Sequence, residues 1–286
     1  MRFLWVLVSS LLAAQDFENI RIEKVAANNR FTEGPVWSRE GFLIFSDVPN
    51  NRMVKFVPGQ GVATFRDNTN GANGNAYDSQ GRLYSCESRT RRVVRTKKDG
   101  TLETIADRYQ GKRLNAPNDI VVRKDGHVWF TDPAFGEQAD HVELGFYGVY
   151  HISPKGELDL IAKPKGRPNG ITLSPNARIL YVANSDDRTI TAYDVDGAGR
   201  TTHERVLIKD IDGPPDGIRT DEKGNLYVAC NQLAVYTPQG KLLKAVEFPE
   251  QPRNCAFGDA DFQTLYVTAL TSVYRVRMTV KGAVQY

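Results

Sequence analysis

Six polar residues stand at matching places along the 286-residue chain: Glu33, Asn73, Asn118, Asn169, Asp216 and Asn254. Each lies at or beside a corner ahead of a short apolar run, as in FTEGPVW, APNDIVV, RPNGITL and PPDGIRT. Two are carboxylates and four are carboxamides, so a fold that gathered them would present hard oxygen donors. Glu33 and Asp216, confined together, would repel each other unless a cation or a shared proton intervened. A bound divalent ion resolves that conflict. Carboxylate and amide oxygens favour Ca²⁺, with Mg²⁺ or Mn²⁺ as substitutes. Zn²⁺ is the least suited substitute, because His127, His141, His151 and His203 are scattered relative to the repeat, three in or beside strands and His203 in a blade loop. Taken singly, any of the six would serve as well to satisfy a turn backbone. Two carboxylates among six equivalent positions favour a shared site.

What must position these residues is a repeated unit. The six recur at intervals of 40, 45, 51, 47 and 38 residues. In every copy a second apolar stretch starts ten or eleven residues later, at Leu43, Leu83, Val128, Leu180, Leu226 and Leu265. That offset holds while the surrounding sequence drifts. Third and fourth β-prone stretches follow, such as TITAYDVD and ERVLIKD, joined by turn residues such as DGAG. Four short strands per unit is the content of a propeller blade. The chain is therefore expected to be all-β, a six-bladed β-propeller with four antiparallel strands per blade, and a sandwich or solenoid is the alternative. IRIEKVAA (20–27) and SVYRVRM (272–278) are expected to share one blade and so lock the ring, because an open row would leave unpaired edges. Residues 18–286 then form a single domain. The first strand of each blade lines the central channel, which puts the preceding corner at its mouth. At Asn169, Pro168 fixes the entering φ and Gly170 lets the backbone turn, aiming the amide at the axis.

Composition narrows the partners. A net charge of +3, with acids and bases interleaved, gives no reason to expect nucleic acid or an anionic membrane. The local run Arg89, Arg91, Arg92, Arg95, Lys97, Lys98 lacks interleaved aromatics and is expected to face water on a hairpin. MRFLWVLVSSLLAA (1–14) carries a charged start, an apolar centre and small residues at its end, the pattern of a cleaved export signal. It implies a periplasmic or secreted protein with no membrane segment after cleavage. Cys86, Cys230 and Cys255 fit neither a metal spacing nor a disulfide framework; one disulfide is possible.

FTEGPVW at Glu33, LNAPNDIVV at Asn118, VWFTDPAFG at Asp132, RPNGITLS at Asn169 and PPDGIRTDEKGNLYVAC at Asp216 together resemble the SMP-30/gluconolactonase (regucalcin-like lactonase) family. The resemblance spans essentially the whole mature chain, and FTDPAFG with APND looks most like the bacterial gluconolactonase branch. It implies one divalent ion held by Glu33, Asn169 and Asp216, with Asn118 beside it on the substrate side and Asp216 doubling as acid/base group. It also implies hydrolysis of a small sugar lactone. Animal members place a substrate-contacting arginine two residues before the asparagine matching Asn118, where this chain has Ala116; Arg113 or Asn115 could take its part. Asn73 at the same mouth, Asn115, and Asp132 complete the candidate substrate-binding set, although Asp132 would equally cap its own Asp-Pro turn. No GxSxG elbow is present, so a serine nucleophile is not indicated. The irregular stretch 134–148, with Phe135, Phe146 and Tyr147, is a candidate lid or a cover for the blade edge. A non-catalytic calcium-binding propeller, and a hydrolase of xylonolactones, aryl esters or phosphotriesters, are the alternatives.

Overall fold

A computed structural model describes residues 17, 20–97 and 99–284; the export signal expected over 1–14 lies outside them. Six four-stranded antiparallel sheets succeed one another along the chain, with one two-stranded ribbon between the second and third. Their innermost strands are Thr32–Ser38, Ala72–Tyr77, Ile120–Val122, Pro168–Leu173, Ile218–Thr220 and Pro252–Gly258. Blades 1 to 6 are named from these in order. Among the described residues the single helical segment is a 3₁₀ turn, Gly136–His141, inside the irregular stretch of blade 3. The expected six-bladed propeller is the fold observed.

The second strand of each blade is a continuous hydrophobic run rather than an alternating one. Phe42–Leu43–Ile44–Phe45 is buried throughout. Alternate side chains of a strand point to opposite faces, and here both faces are covered. Leu43 and Phe45 pack toward blade 6 with Trp37, Ala256 and Tyr266, whereas Phe42 and Ile44 pack toward blade 2 with Ala72, Tyr77 and Leu83. The same division repeats around the molecule, so the described residues form six apolar clusters, one between each pair of neighbouring blades. The core is a ring, not a ball. Each fully buried Leu, Ile or Phe contributes about 1.5–3 kcal/mol. The outermost strands, such as Gly61–Asp67, are mostly exposed and read as polar or mixed.

The ring is closed by the two ends of the chain. Blade 6 takes three strands from residues 252–277 and its fourth, Ile22–Ala26, from the start of the chain, with Ile22 opposite Val276 and Ala26 opposite Val273. The chain then crosses into blade 1 under direct bonds: Thr32 N donates to Leu270 O (2.7 Å) and Thr32 Oγ1 to Ser272 O (3.1 Å).

Several local expectations change. All three cysteines are buried free thiols, so no disulfide forms among them. His203 lies within the outer strand Thr201–Ile208, not in a loop, and His141 ends the 3₁₀ turn. The basic run does not simply face water: Arg91 is buried and donates to His141 O (2.7 Å), and Arg92 donates to the buried Glu87 carboxylate (2.7 Å).

Candidate active site

The repeated polar residues do not all sit on turns. In blades 1, 2, 4 and 6 they lie within the innermost strand, where its register against the second strand breaks: between Glu33 and Val36, Ala72 and Asn75, Pro168 and Ile171, Pro252 and Asn254. In blades 3 and 5 regular pairing starts two residues after Asn118 and Asp216, at Ile120 and Ile218. Such a bulge bends the strand and re-aims a side chain that would otherwise alternate into the sheet. The glycines that follow have a role other than the turning expected of them. A Cβ on Gly170 would lie 2.2 Å from Asp216 O, and one on Gly217 would lie 2.0 Å from Asn254 Cγ. Neither has a positive φ; glycine is needed there because the next blade's corner occupies the space.

That close approach knits the corners into a closed circuit of hydrogen bonds. Going round the axis, Asn75 Nδ2 donates to Gly34 O (2.9 Å), Gly74 N to Asn118 O (2.7 Å) and Thr131 Oγ1 to Asn169 O (2.7 Å). Gly170 N donates to Asp216 O (3.1 Å), Gly217 N to Arg253 O (2.8 Å), and Asn254 Nδ2 to Glu33 Oε2 (3.3 Å). Each bond joins one blade to the next, and the last joins blade 6 to blade 1.

Above this circuit opens a cavity of about 510 Å³. Glu33, Asn73, Asn118, Asn169 and Asp216 all line it, so residues spread across most of the chain meet in one place. Asn254, the sixth, is buried beside it; its amide nitrogen holds Glu33 and its amide oxygen accepts from Cys255 N (2.8 Å). Asn115 and Asp132 do not line the cavity. Asp132 is fully buried and its carboxylate accepts from the backbone N–H of Asn115 and of Ala116, both at 2.8 Å. Asn115 in turn donates to Asp132 O and Phe146 O. The pair therefore fixes the segment that presents Ala116 and Asn118, and the direct substrate contact expected of either has no support in this geometry. Arg113 is also directed elsewhere, donating to Thr90 O (3.3 Å).

The electrostatics of the cavity are unusual. Burial pushes the Glu33 carboxyl well above the usual carboxylate range, and the charges of Asp216 and Asp119 push it the same way against hydrogen bonds from Gly34 N and Asn254. Burial likewise raises Asp216 to about 7; the Arg253 guanidinium, 3.7 Å away, opposes the rise, as does a hydrogen bond from Asn169, while Asp119 adds to it. Asp119 sits just beneath, fully buried, accepting from Ile120 N (2.9 Å), Ile171 N (3.3 Å) and Arg219 Nη1 (3.4 Å), and so ties blades 3, 4 and 5 together.

The donor set suits a hard divalent cation. Two buried carboxylates, one of which raises the other's proton affinity, are the groups a cation would relieve. The Asn169 amide nitrogen is committed to Ser185 Oγ (3.2 Å) and Asp216, which leaves its oxygen for a ligand. Asn73 Oδ1 is buried without a hydrogen-bond partner among the described residues, an orphan acceptor of the kind an ion or its water satisfies. Among the described residues no three His, Cys, Asp or Glu side chains gather as a metal cluster; the amide oxygens would have to complete the set.

Two cavity residues escaped the sequence reading. Arg253 precedes Asn254, and at the equivalent place before the other five polar residues stand Thr32, Ala72, Pro117, Pro168 and Pro215. It is the one charged residue in that column, a signal present in the repeat. Arg89 also lines the cavity, but its place in a basic run disguised it. Phe135 and Gln138, from the irregular stretch of blade 3, complete the rim on the side of Asn118. Phe146 instead packs on the apolar cluster between blades 2 and 3.

Comparison with known proteins agrees with this picture. Residues 31–271 match the family profile described as SMP-30/Gluconolactonase/LRE-like region. The chain is 35% identical, over 91% of its length and 82% of the relative's, to the gluconolactonase of Zymomonas mobilis subsp. mobilis. It is 26% identical to the lactonohydrolase oryL of Aspergillus oryzae over 64% of its own length and 49% of that protein's. Among solved structures, a gluconolactonase from Xanthomonas campestris superposes with a TM-score of 0.86 at 32% identity, covering 91% of this chain and 90% of that one.

Proposed function

The chain belongs to the SMP-30/gluconolactonase/LRE-like family, and from that premise we propose that it is a carboxylic ester hydrolase that opens sugar lactones to aldonic acids with the help of a divalent ion. The observation that carries the reading is the convergence of Glu33, Asn118, Asn169 and Asp216 on one cavity at the ring axis. Glu33, Asn169 and Asp216 would hold the ion, Ca²⁺ best matching oxygen donors of this kind. When bound, it supplies Lewis-acid polarisation of the lactone carbonyl and stabilises charge developing on its oxygen.

The chain's own residues account for the proton movements. Asp216 in its ionised form takes a proton from the attacking water as the oxygen adds to the carbonyl carbon. On collapse the ring C–O bond breaks and Asp216 returns that proton to the departing oxygen, which becomes a hydroxyl of the product. The Arg253 guanidinium, 3.7 Å away, and a hydrogen bond from Asn169 favour the ionised form that takes the first proton. Asn118, on the blade 3 side, orients the lactone through its carboxamide. Asn254 and Gly34 hold Glu33 in place through hydrogen bonds to Oε2, and the Asp132–Asn115 pair holds Asn118's segment.

Turnover of a lactone panel, with Ca²⁺, Mg²⁺, Mn²⁺ or Zn²⁺ added to metal-stripped protein, tests the reading. Asp216→Ala is expected to lower kcat by about 10²–10⁴-fold with the β-sheet spectrum unchanged. Undiminished turnover in that variant would remove Asp216 from the mechanism, turnover that needs no metal would remove the ion from it, and a panel with no turnover would leave the ion as a structural plug in a binding protein.

A further inference from the structure

The charges of the cavity, two acids and two bases, no longer balance once a divalent cation joins them. Four ionisable side chains line it: Glu33, Asp216, Arg89 and Arg253. The two acids are those that a cation or a proton would neutralise. Of the two guanidinium groups, Arg89 has no such compensation among the described residues, and Arg253 has only the Asp216 carboxylate that it would share with the cation. Arg89 is exposed at the end of the loop after Leu83–Glu87; it donates to Pro49 O (3.3 Å) and has no carboxylate partner among the described residues. Arg253 stacks over Phe31 (5.2 Å from guanidinium carbon to ring centroid) and donates to Gln251 Oε1 (3.0 Å). Its one nearby carboxylate is Asp216, at 3.7 Å.

The two arginines also flank the same blade. Arg89 comes from blade 2 and Arg253 from blade 6, the two neighbours of blade 1, so both flank the side of the cavity where Phe31 and Pro49 of the blade 1 loops stand. The opposite side, formed by Ala116, Asn118, Phe135, Gln138 and Asn169, is neutral. The cavity therefore has a polar, uncharged side beside Asn118 and a cationic side around Phe31. A neutral sugar lactone uses the first and leaves the second without a partner.

We propose that the preferred substrate is a sugar lactone bearing an anionic group, carboxylate or phosphate, on the end of the molecule remote from the scissile ester, and that Arg89 and Arg253 bind that group. Arginine suits this role because its planar fork meets carboxylate or phosphate with two parallel hydrogen bonds. The inference rests on the lactone-hydrolysing reading but is separable from it, since an anion subsite binds whether or not turnover follows.

The experiment has a kinetic and a binding arm, both on the full chain with Ca²⁺. The kinetic arm compares kcat/KM for a neutral aldonolactone, an aldaric acid monolactone and a phosphorylated aldonolactone of the same ring size. A charge-assisted hydrogen bond is worth about 1.5–3 kcal/mol, so at least one anionic substrate is expected to exceed the neutral one by roughly ten- to a hundredfold, and the better of the two identifies the group. Arg89→Gln is expected to bring that ratio near one, chiefly through KM, and Arg89→Lys to restore part of it. The binding arm measures calorimetric Kd values for open-chain aldarate, aldonate and phosphoaldonate, which need no catalysis. Tighter binding of aldarate or phosphoaldonate than of the singly charged aldonate by about tenfold, lost in Arg89→Gln, supports the subsite even if no lactone is hydrolysed, in which case the lactonase reading alone falls. Equal kcat/KM for neutral and anionic lactones together with equal Kd values for singly and doubly charged products would overturn the proposal.

Discussion

Asp216 is held chiefly by burial, against the opposing charge of Arg253, at a proton affinity that ordinary carboxylates lack, and this has a consequence for stability. A folded-state pKa raised above the unfolded value means that the native chain binds the proton more tightly. Its contribution is fully present at low pH and is lost as pH climbs from the usual carboxylate range through about 7. A cation shared with Glu33 favours the ionised forms and reverses the trend. Melting of chelated protein is therefore expected to weaken as pH rises from about 5 to about 8, and the increment in Tm on adding Ca²⁺ to grow over the same window. Asp132, also raised to about 7 by burial but outside the cavity, titrates alike in both conditions and cancels in the difference. An increment that stays constant with pH would separate the cation from Glu33 and Asp216. The polar residues of this site were legible because repetition marked them. Arg89 was not, since a guanidinium in a run of six basic residues looks like solvated surface whether or not its loop ends at a cavity.

At the level of the strand, the repeat announced four-stranded blades and the start of each second strand, but not how the first strand carries its polar residue. A bulge and a turn use the same residue types, and the choice between them is made by the neighbouring blade, which the local sequence does not contain. Gly170 is the clearest case. It reads as a turn residue, yet what it provides is room for the blade 5 corner. Gly170→Ala is expected to cost about 1–3 kcal/mol or more in urea denaturation and to lower turnover in parallel, because the atom it strikes is the carbonyl of Asp216 itself. Gly197, in a hairpin where an added Cβ meets nothing within 4 Å, supplies the control; Gly197→Ala should be neutral or slightly stabilising. Comparable losses at both positions would refute the close-approach explanation.

For the molecule as a whole, stability is distributed over six equivalent interfaces and one closure. Phe45→Ala, in the cluster that joins blades 6 and 1, is expected to cost about 3–5 kcal/mol. Removing residues 20–27 should cost more than their few exposed side chains suggest. It strips the fourth strand from blade 6 and leaves Ser272–Arg277 as a bare edge, and it takes Val25 and Ala26 from the apolar cluster between blades 6 and 1. A lowered, concentration-dependent melting transition is the expected result, and an unchanged Tm would show that the ring holds without its seam. Both partners of that seam were visible in the sequence as strand-like stretches outside the six repeats, because a closed ring with matched blades has to account for leftover ends. The seam also sets the order in which the protein can come into being. Ile22–Ala26 leaves the ribosome long before Ser272–Arg277 and must wait for it, so until that partner emerges the newborn polypeptide is a fan with two raw margins. A message broken before Ser272 would thus yield a fan with both margins still raw, a sticky fragment rather than a shorter ring.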